Sequence, residues 1–315
     1  MTYAFIFPGQ GSQYVGMGEN LIKDFPNTRH VFEQLDDELN QKLTDVILGG
    51  PEDQLTLTEN AQPALFAVSM AIVRVLRDEF GLDLSEVIKF AAGHSLGEYS
   101  ALSAFGAIQF SDGVKILKAR GKAMQAAVSN GAGSMAAVLG LNILDLEKIV
   151  ETAAEENEIC CVANDNTPEQ VVISGSAAAV ERASMMAKDA GAKRCVPLQV
   201  SAPFHSPLMA PAADHMTNVI GNILVRAPTI PVVSNITAKP ENNPNEIRRL
   251  LIEQVTGRVR WRESIINMRE LGVKQFVEVG AGKVLTGMIR RIDKQLEAIS
   301  LESSDDIRKF VSLVD

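Results

Sequence analysis

The sequence is poor in the residues that mark several large functional classes. Only three of its 315 residues are cysteines, and two of them, Cys160 and Cys161, are adjacent. Neighbouring residues on a strand point to opposite faces, so this pair suits neither a bridge nor a shared metal, and reduced thiols of a cytoplasmic protein are the plain expectation. No cluster of His, Cys and carboxylates has ligand spacing, so no metal is expected. Excess positive charge is missing too. Thirty Lys and Arg against 39 Asp and Glu leave a net charge of −9, which argues against generic nucleic-acid binding and against docking to anionic membranes. There is no long apolar run. The densest stretch, PALFAVSMAIVRVL, is bounded by Pro63 and Arg74, too short to span a bilayer, and reads as a buried core helix. The first residues offer no basic segment, apolar core or small-residue cleavage site, so no signal peptide is expected. What remains is 46% hydrophobic and 22% charged, enough for a substantial core in one large domain or two ordinary ones.

Short apolar runs alternate with helical periodicity, the pattern of an α/β fold with a largely parallel sheet. Strands are predicted at Ala4–Phe7, Val87–Ala92, Thr229–Ser234 and Gln275–Val279. One helix is predicted to start with Asn27 as N-cap, carrying Val31, Leu35 and Leu39 inward; another is predicted to be capped by Ser111. Near residue 130 the rhythm changes at NGAGS. Strands at Ser134–Leu141, Ile159–Ala163, Gln170–Ser174 and Arg194–Val200 then alternate with helices at Leu144–Glu155 and Ala177–Ala190. That β-α-β-β-α-β order is the ferredoxin-like arrangement. The predicted organisation is a large α/β domain of residues 1–129 and 201–315, interrupted by a small ferredoxin-like domain of residues 130–200.

The stretch FPGQGSQ follows the first predicted strand and invites comparison with a phosphate-binding loop. Gly9 and Gly11 supply two glycines of G-x-G-x-x-G, but Tyr14 occupies the third position, which must be small. No Lys-Ser/Thr pair follows. The later GAGKVL is no Walker loop either, because Val284 stands where a magnesium-binding hydroxyl is needed.

AAGHSLGEYSAL contains G-x-S-x-G, the nucleophile elbow, between a predicted strand and a predicted helix. Its glycines allow the tight turn, and the helix N-terminus favours negative charge beside Ser95. The plainer alternative is a serine in a helix-capping turn. A hydroxyl nucleophile needs a base, and there are four histidines. His94 adjoins the serine and is expected to point away. His30 and His215 lie on helices and read as surface or packing residues. His205 sits in VSAPFHSPLM, where the chain re-enters the large domain, and is the candidate base. No acidic residue has an obvious context for orienting it; a backbone carbonyl would serve as well.

FPGQGSQ, GHSLGEYSAL, the arginine of ILKARGKAMQ, FHSPLM and EVGAGKVLTG occur in this order. Together they resemble the malonyl-CoA:acyl carrier protein transacylases of bacterial fatty-acid synthesis, nearly end to end. The resemblance implies a hydrolase-like α/β core with a ferredoxin-like insert and a ping-pong acyltransferase. It implies Ser95 as the acylated nucleophile, His205 as base, and the Gln254 backbone carbonyl as the group that orients it. Gln10 and the Leu96 N–H would form the oxyanion hole. Arg120 would pair with the malonyl carboxylate, beside Met124 on the same helix. Phe204 would crowd a branched methylmalonyl group. The implied partners are malonyl-CoA and acyl carrier protein, with no cofactor beyond what the substrates carry, no nucleic acid and no membrane, for a cytoplasmic monomer. Two positions depart from the family pattern: Ala281 replaces the usual proline in the late glycine turn, and Arg260 the usual glutamine before Trp261. The rival is a serine hydrolase using the same elbow with water as acceptor. Arg120 separates the two, since an ordinary esterase has no use for a buried cation. A carrier that is itself acidic would need local basic patches, for which KILKARGKAM, IRRLLIEQVTGRVRWR and MIRRIDK are the sources.

Overall fold

A computed structural model describes residues 2–129, 131–200 and 202–314. Asn130 and Ser201, at the two predicted domain junctions, lie outside the described residues. In chain order the strands are β1 Tyr3–Phe7, β2 Ile88–Gly93, β3 Gly133–Leu139, β4 Cys160–Thr167, β5 Gln170–Ser176, β6 Arg194–Pro197, β7 Val232–Val233, β8 Pro240–Glu241, β9 Gln275–Val279 and β10 Glu297–Leu301. They form two sheets. The larger has the order β10-β9-β1-β2-β7-β8 and is parallel except for the short β8. The smaller has the order β4-β5-β3-β6, with every neighbouring pair antiparallel.

The alternation of side chains along a strand explains how β1 serves two cores at once. Tyr3, Phe5 and Phe7 enter one apolar cluster, which is covered by helices Thr58–Arg74, Phe110–Ala126 and Ser304–Val314. Ala4 and Ile6 enter the other, under helices Trp261–Glu270 and Val284–Ile292. All five residues are buried, as a central parallel strand requires. Each such phenylalanine contributes about 1.5–3 kcal/mol through burial. The small sheet has its own core: Val138, Ile173, Leu146 and Val180 pack together beneath helices Ile143–Ala153 and Ala177–Asp189. The opposite face of that sheet, with Met135 and Val172, joins the main cluster. No helix among the described residues is long and apolar enough to cross a membrane.

Several sequence expectations need correction. Asn27 does not cap a helix. It lies in a 3-10 turn, Pro26–Thr28, and its amide donates to Glu79 at 2.9 Å, while the helix itself starts at Arg29. Ser111 is no cap either, because the helix begins one residue ahead of it at Phe110, after the extended Gln109. The core helix starts at Thr58, not at Pro63; the polar residues Asn60 and Gln62 disguise its first turns, yet both are buried. The run Thr229–Ser234 shrinks to two strand residues, as expected where Pro231 offers no N–H to a ladder. Conversely, β4 runs four residues beyond Ala163 through Asn164, Asp165, Asn166 and Thr167. The predicted strand stopped short of these polar residues, yet all four are buried, and the fold brings partners to the first three. Arg262 clasps Asp165 in a two-pronged ion pair, and Asn164 bridges to Val259.

Candidate active site

The turn after β2 is forced by close backbone packing. A Cβ on Gly93 would collide with the Gly97 backbone, and one on Gly97 would strike the Phe7 carbonyl. Only glycine fits at either end, and the chain between them folds back sharply into helix Gly97–Ala104. Ser95 is held at φ 52°, a left-handed conformation that costs a non-glycine residue on the order of 1–3 kcal/mol. Asn235 pins this turn. It accepts from the Ser95 N–H at 2.8 Å and donates to the Gly93 carbonyl at 2.7 Å.

His205 also sits at positive φ, 56°, and its Nε2 lies 2.8 Å from Ser95 Oγ. Its Nδ1 faces two backbone carbonyls, Gln254 at 2.9 Å and Gly257 at 3.1 Å. Two acceptors there require Nδ1 to carry the proton, which leaves Nε2 free to accept one from the serine. Burial, and next the Arg120 charge, push the imidazole down to about 3, so it is neutral at physiological pH. Of the other histidines, only His94 lines the same cleft. His94 bonds Asn166 at 2.8 Å and rests against Trp261, His30 pairs with Glu33, and His215 is exposed.

Arg120 is reached from helix Phe110–Ala126, whose Gly121 has no room for a Cβ against the backbone of Thr58 and Glu59. That close approach brings Gln62 opposite Arg120. Arg120 is only 1% exposed, so its head is not in water. Nη1 donates to Gln62 at 2.9 Å; Nη2 donates to Gln254 Oε1 at 3.0 Å and to Ser95 Oγ at 3.1 Å. Its Nε is buried with no acceptor, and the guanidinium lies over the Tyr99 ring. A buried guanidinium with an orphan donor suits a ligand carboxylate.

These groups line a cleft of about 260 Å³, with Gln10, Leu96, Met124 and Phe204 along its walls. The Gln10 amide donates to Thr58 Oγ1 at 3.3 Å, and Leu96 caps the elbow helix. The structure thus brings Ser95, His205, Gln254, Gln10, Leu96, Arg120, Met124 and Phe204 together. The site also includes four residues not singled out in the sequence: Gln62, Glu98, Asn235 and Gly257. Glu98 lay inside the elbow motif and Gly257 inside a stretch quoted only for its basic residues; Gln62 and Asn235 are amides on separate segments, with no local pattern to announce them. The two departures fall outside the cleft: Ala281 is buried in the main core, and Arg260 pairs with Glu263 at 3.1 Å.

Comparison with known proteins gives matches over nearly the whole chain. The acyl transferase domain family matches residues 4–306. The malonyl CoA-acyl carrier protein transacylase of Bacillus subtilis is 43% identical over 304 residues, 96% of this chain and 94% of its own length. The crystal structure of the acyl-carrier-protein S-malonyltransferase from Bartonella henselae is similar with a TM-score of 0.97 at 51% identity, covering 100% of this chain and 99% of that one. A malonyl-transacylase solved in complex with its type II PKS acyl-carrier protein gives a TM-score of 0.95 at 40% identity, over 99% of this chain and 100% of that one.

Proposed function

This chain belongs to the acyl transferase family, and from that premise we propose that it moves a malonyl group from malonyl-CoA to the phosphopantetheine thiol of an acyl carrier protein through a malonyl-serine. The finer organisation we read as a hydrolase-like domain of residues 1–129 and 201–315 with a ferredoxin-like insert of residues 130–200. The β-α-β-β-α-β order of the small sheet supports the latter. On this reading the protein is a cytoplasmic monomer that holds no cofactor of its own.

The observation that carries the mechanism is the relay from Ser95 Oγ through His205 to the Gln254 carbonyl, with Arg120 3.1 Å from the same oxygen. His205 Nε2 takes the serine proton as Oγ attacks the thioester carbonyl. The oxyanion of the tetrahedral intermediate is met by the Leu96 N–H and Gln10, donors of a kind worth roughly 2.7–4 kcal/mol each. Collapse breaks the carbon–sulfur bond, and His205 returns the proton to the departing coenzyme A thiolate. In the second half the carrier thiol gives its proton to His205 and attacks the malonyl-serine, and Ser95 leaves with that proton. Arg120 holds the malonyl carboxylate throughout, which selects this acyl group over acetyl. Phe204 and Met124 shape the space around it.

Intact mass after mixing with malonyl-CoA tests the reading. Wild type gains one malonyl group and Ser95→Ala gains none. Free malonate without an adduct would instead identify a hydrolase.

A further inference from the structure

Among the described residues no carboxylate is in direct contact with Arg120, although it is buried. Its counter-charge stands one amide away. Glu98, 4% exposed on the first turn of the elbow helix, accepts from Gln254 Nε2 at 2.7 Å, while Gln254 Oε1 accepts from Arg120 at 3.0 Å. The Gln254 amide is therefore polarised end to end. Turning it over would set NH2 against the guanidinium and C=O against the carboxylate, so Glu98 fixes which way it points. Gln254 Nε2 also donates to the Ser95 carbonyl at 3.0 Å, and the Gln254 backbone carbonyl holds His205. Glu98 accepts in addition from the Asn235 N–H at 3.1 Å, and the Asn235 side chain pins the elbow. One carboxylate thus braces the partners of nucleophile, base and cation without lining the cleft itself.

We propose that Glu98 is a positioning residue and the internal counter-charge of Arg120, and that its own charge sets how strongly the site prefers an acyl group bearing a carboxylate over a neutral one. This rests on the reading that Arg120 binds the malonyl carboxylate. An incoming carboxylate competes with Glu98 for the same guanidinium. An ionised Glu98 therefore weakens malonyl binding, and a protonated or neutralised one strengthens it. Burial pushes the Glu98 carboxyl up to about 7, while Gln254, Asn235, Arg120 and Ser234 favour its ionised form, so its charge changes within the working range. Among the described residues, the charged and titratable groups set around it are Arg120 on the facing helix, Tyr99 on its own helix, and His205, joined to it through Gln254.

The test is the ratio of malonyl-CoA to acetyl-CoA loading across pH in wild type, Glu98→Gln and Arg120→Ala. The amide introduced by Glu98→Gln keeps an acceptor oxygen for Gln254 and Asn235 but has no charge. In wild type the ratio should fall about three- to tenfold as pH rises from about 6 to 8.5, the size of a coupling of up to one pKa unit. In Glu98→Gln it should stay flat and high, through a lower apparent KM for malonyl-CoA with kcat moving less. A ratio with the same pH profile in wild type and Glu98→Gln would overturn the proposal while leaving the Arg120 reading intact. A ratio unchanged in Arg120→Ala would overturn both. If Glu98→Gln does not fold, proton uptake by the wild-type enzyme decides. Near pH 7.5, loading malonyl should take up more protons than loading acetyl, and equal uptake would overturn the proposal.

Discussion

Two strand-to-helix junctions flank β1 in the larger sheet, and both are built from the same local pattern. After β2 the chain runs GHSLGE; after β9 it runs GAGKVL. Each has glycines in the turn, a helix just beyond, and a buried glutamate, Glu98 on the helix after one turn and Glu278 on the strand before the other. They differ in where the glutamate finds its partners. Glu278 accepts from the Leu285 and Thr286 N–H groups at 3.0 and 2.7 Å and from the Thr286 hydroxyl at 2.7 Å, all within eight residues. It seals a helix N-terminus, and the turn closes on itself. Glu98 accepts from Gln254 and Asn235, which lie 156 and 137 residues away in sequence. The same pattern thus yields a cap when its partners are local and an active site when distant elements converge on it.

Substitutions that separate selectivity from stability test that contrast most directly. At the elbow, Arg120→Ala should cost malonyl loading about 2–5 kcal/mol, typical of truncating one partner of a buried charge pair. It should also raise acetyl loading, because a neutral acyl group no longer leaves a buried cation unpaired. Competitive loading of the two thioesters measures this. An unchanged preference would make Arg120 a structural residue and erase the contrast.

Glu278→Ala should do the reverse. It strands the buried Leu285 N–H and the half-buried N–H and hydroxyl of Thr286 at the helix start, and should lower stability by about 1–3 kcal/mol, read by denaturant unfolding. Loading per folded molecule should hold. A variant that kept its stability but lost loading would place chemistry at the second junction as well.

The effect least visible at neutral pH is that of acid. His205 is held neutral by burial and by Arg120, down to about 3. In the unfolded chain an ordinary histidine binds a proton below about 6.5. Its contribution to stability is therefore fully present above that value and is lost as pH falls toward 3. Loading at saturating malonyl-CoA should likewise show no histidine inflection near 6.5, which single-turnover rates between about pH 4 and 8 would check.

The contrast also explains what the sequence could reveal. β1 was legible because a central parallel strand is an unbroken apolar run, and β9 because Phe276, Val277 and Val279 keep most of that character around Glu278. Ser95 was legible because the elbow needs glycines at fixed spacing. His205 emerged only because its rivals were weaker, and Gln254 only through resemblance, since a backbone carbonyl has no side-chain signature. Asn235 and Gln62 carried no signal at all; what makes them matter is a fold that brings residues 62, 120, 235 and 254 to one point. The polar end of β4 misled for a related reason. A buried polar residue cannot be told from a loop residue until its partner is known.

That end of β4 also bears on how the two thioesters change places. Asp165 is fully buried, gripped by Arg262 and joined through its N–H to the Val259 carbonyl, while Asn166 holds His94 beside the elbow. Together these bonds tie β4 of the smaller sheet to helix Trp261–Glu270, to Val259 and to the elbow turn. Prising the walls apart would strip a buried carboxylate of its cation, a break that costs about 3–5 kcal/mol in comparable pairs. The traffic of the reaction then falls to the flexible pantetheine arms. One arm withdraws from the cleft, and the next threads the same opening.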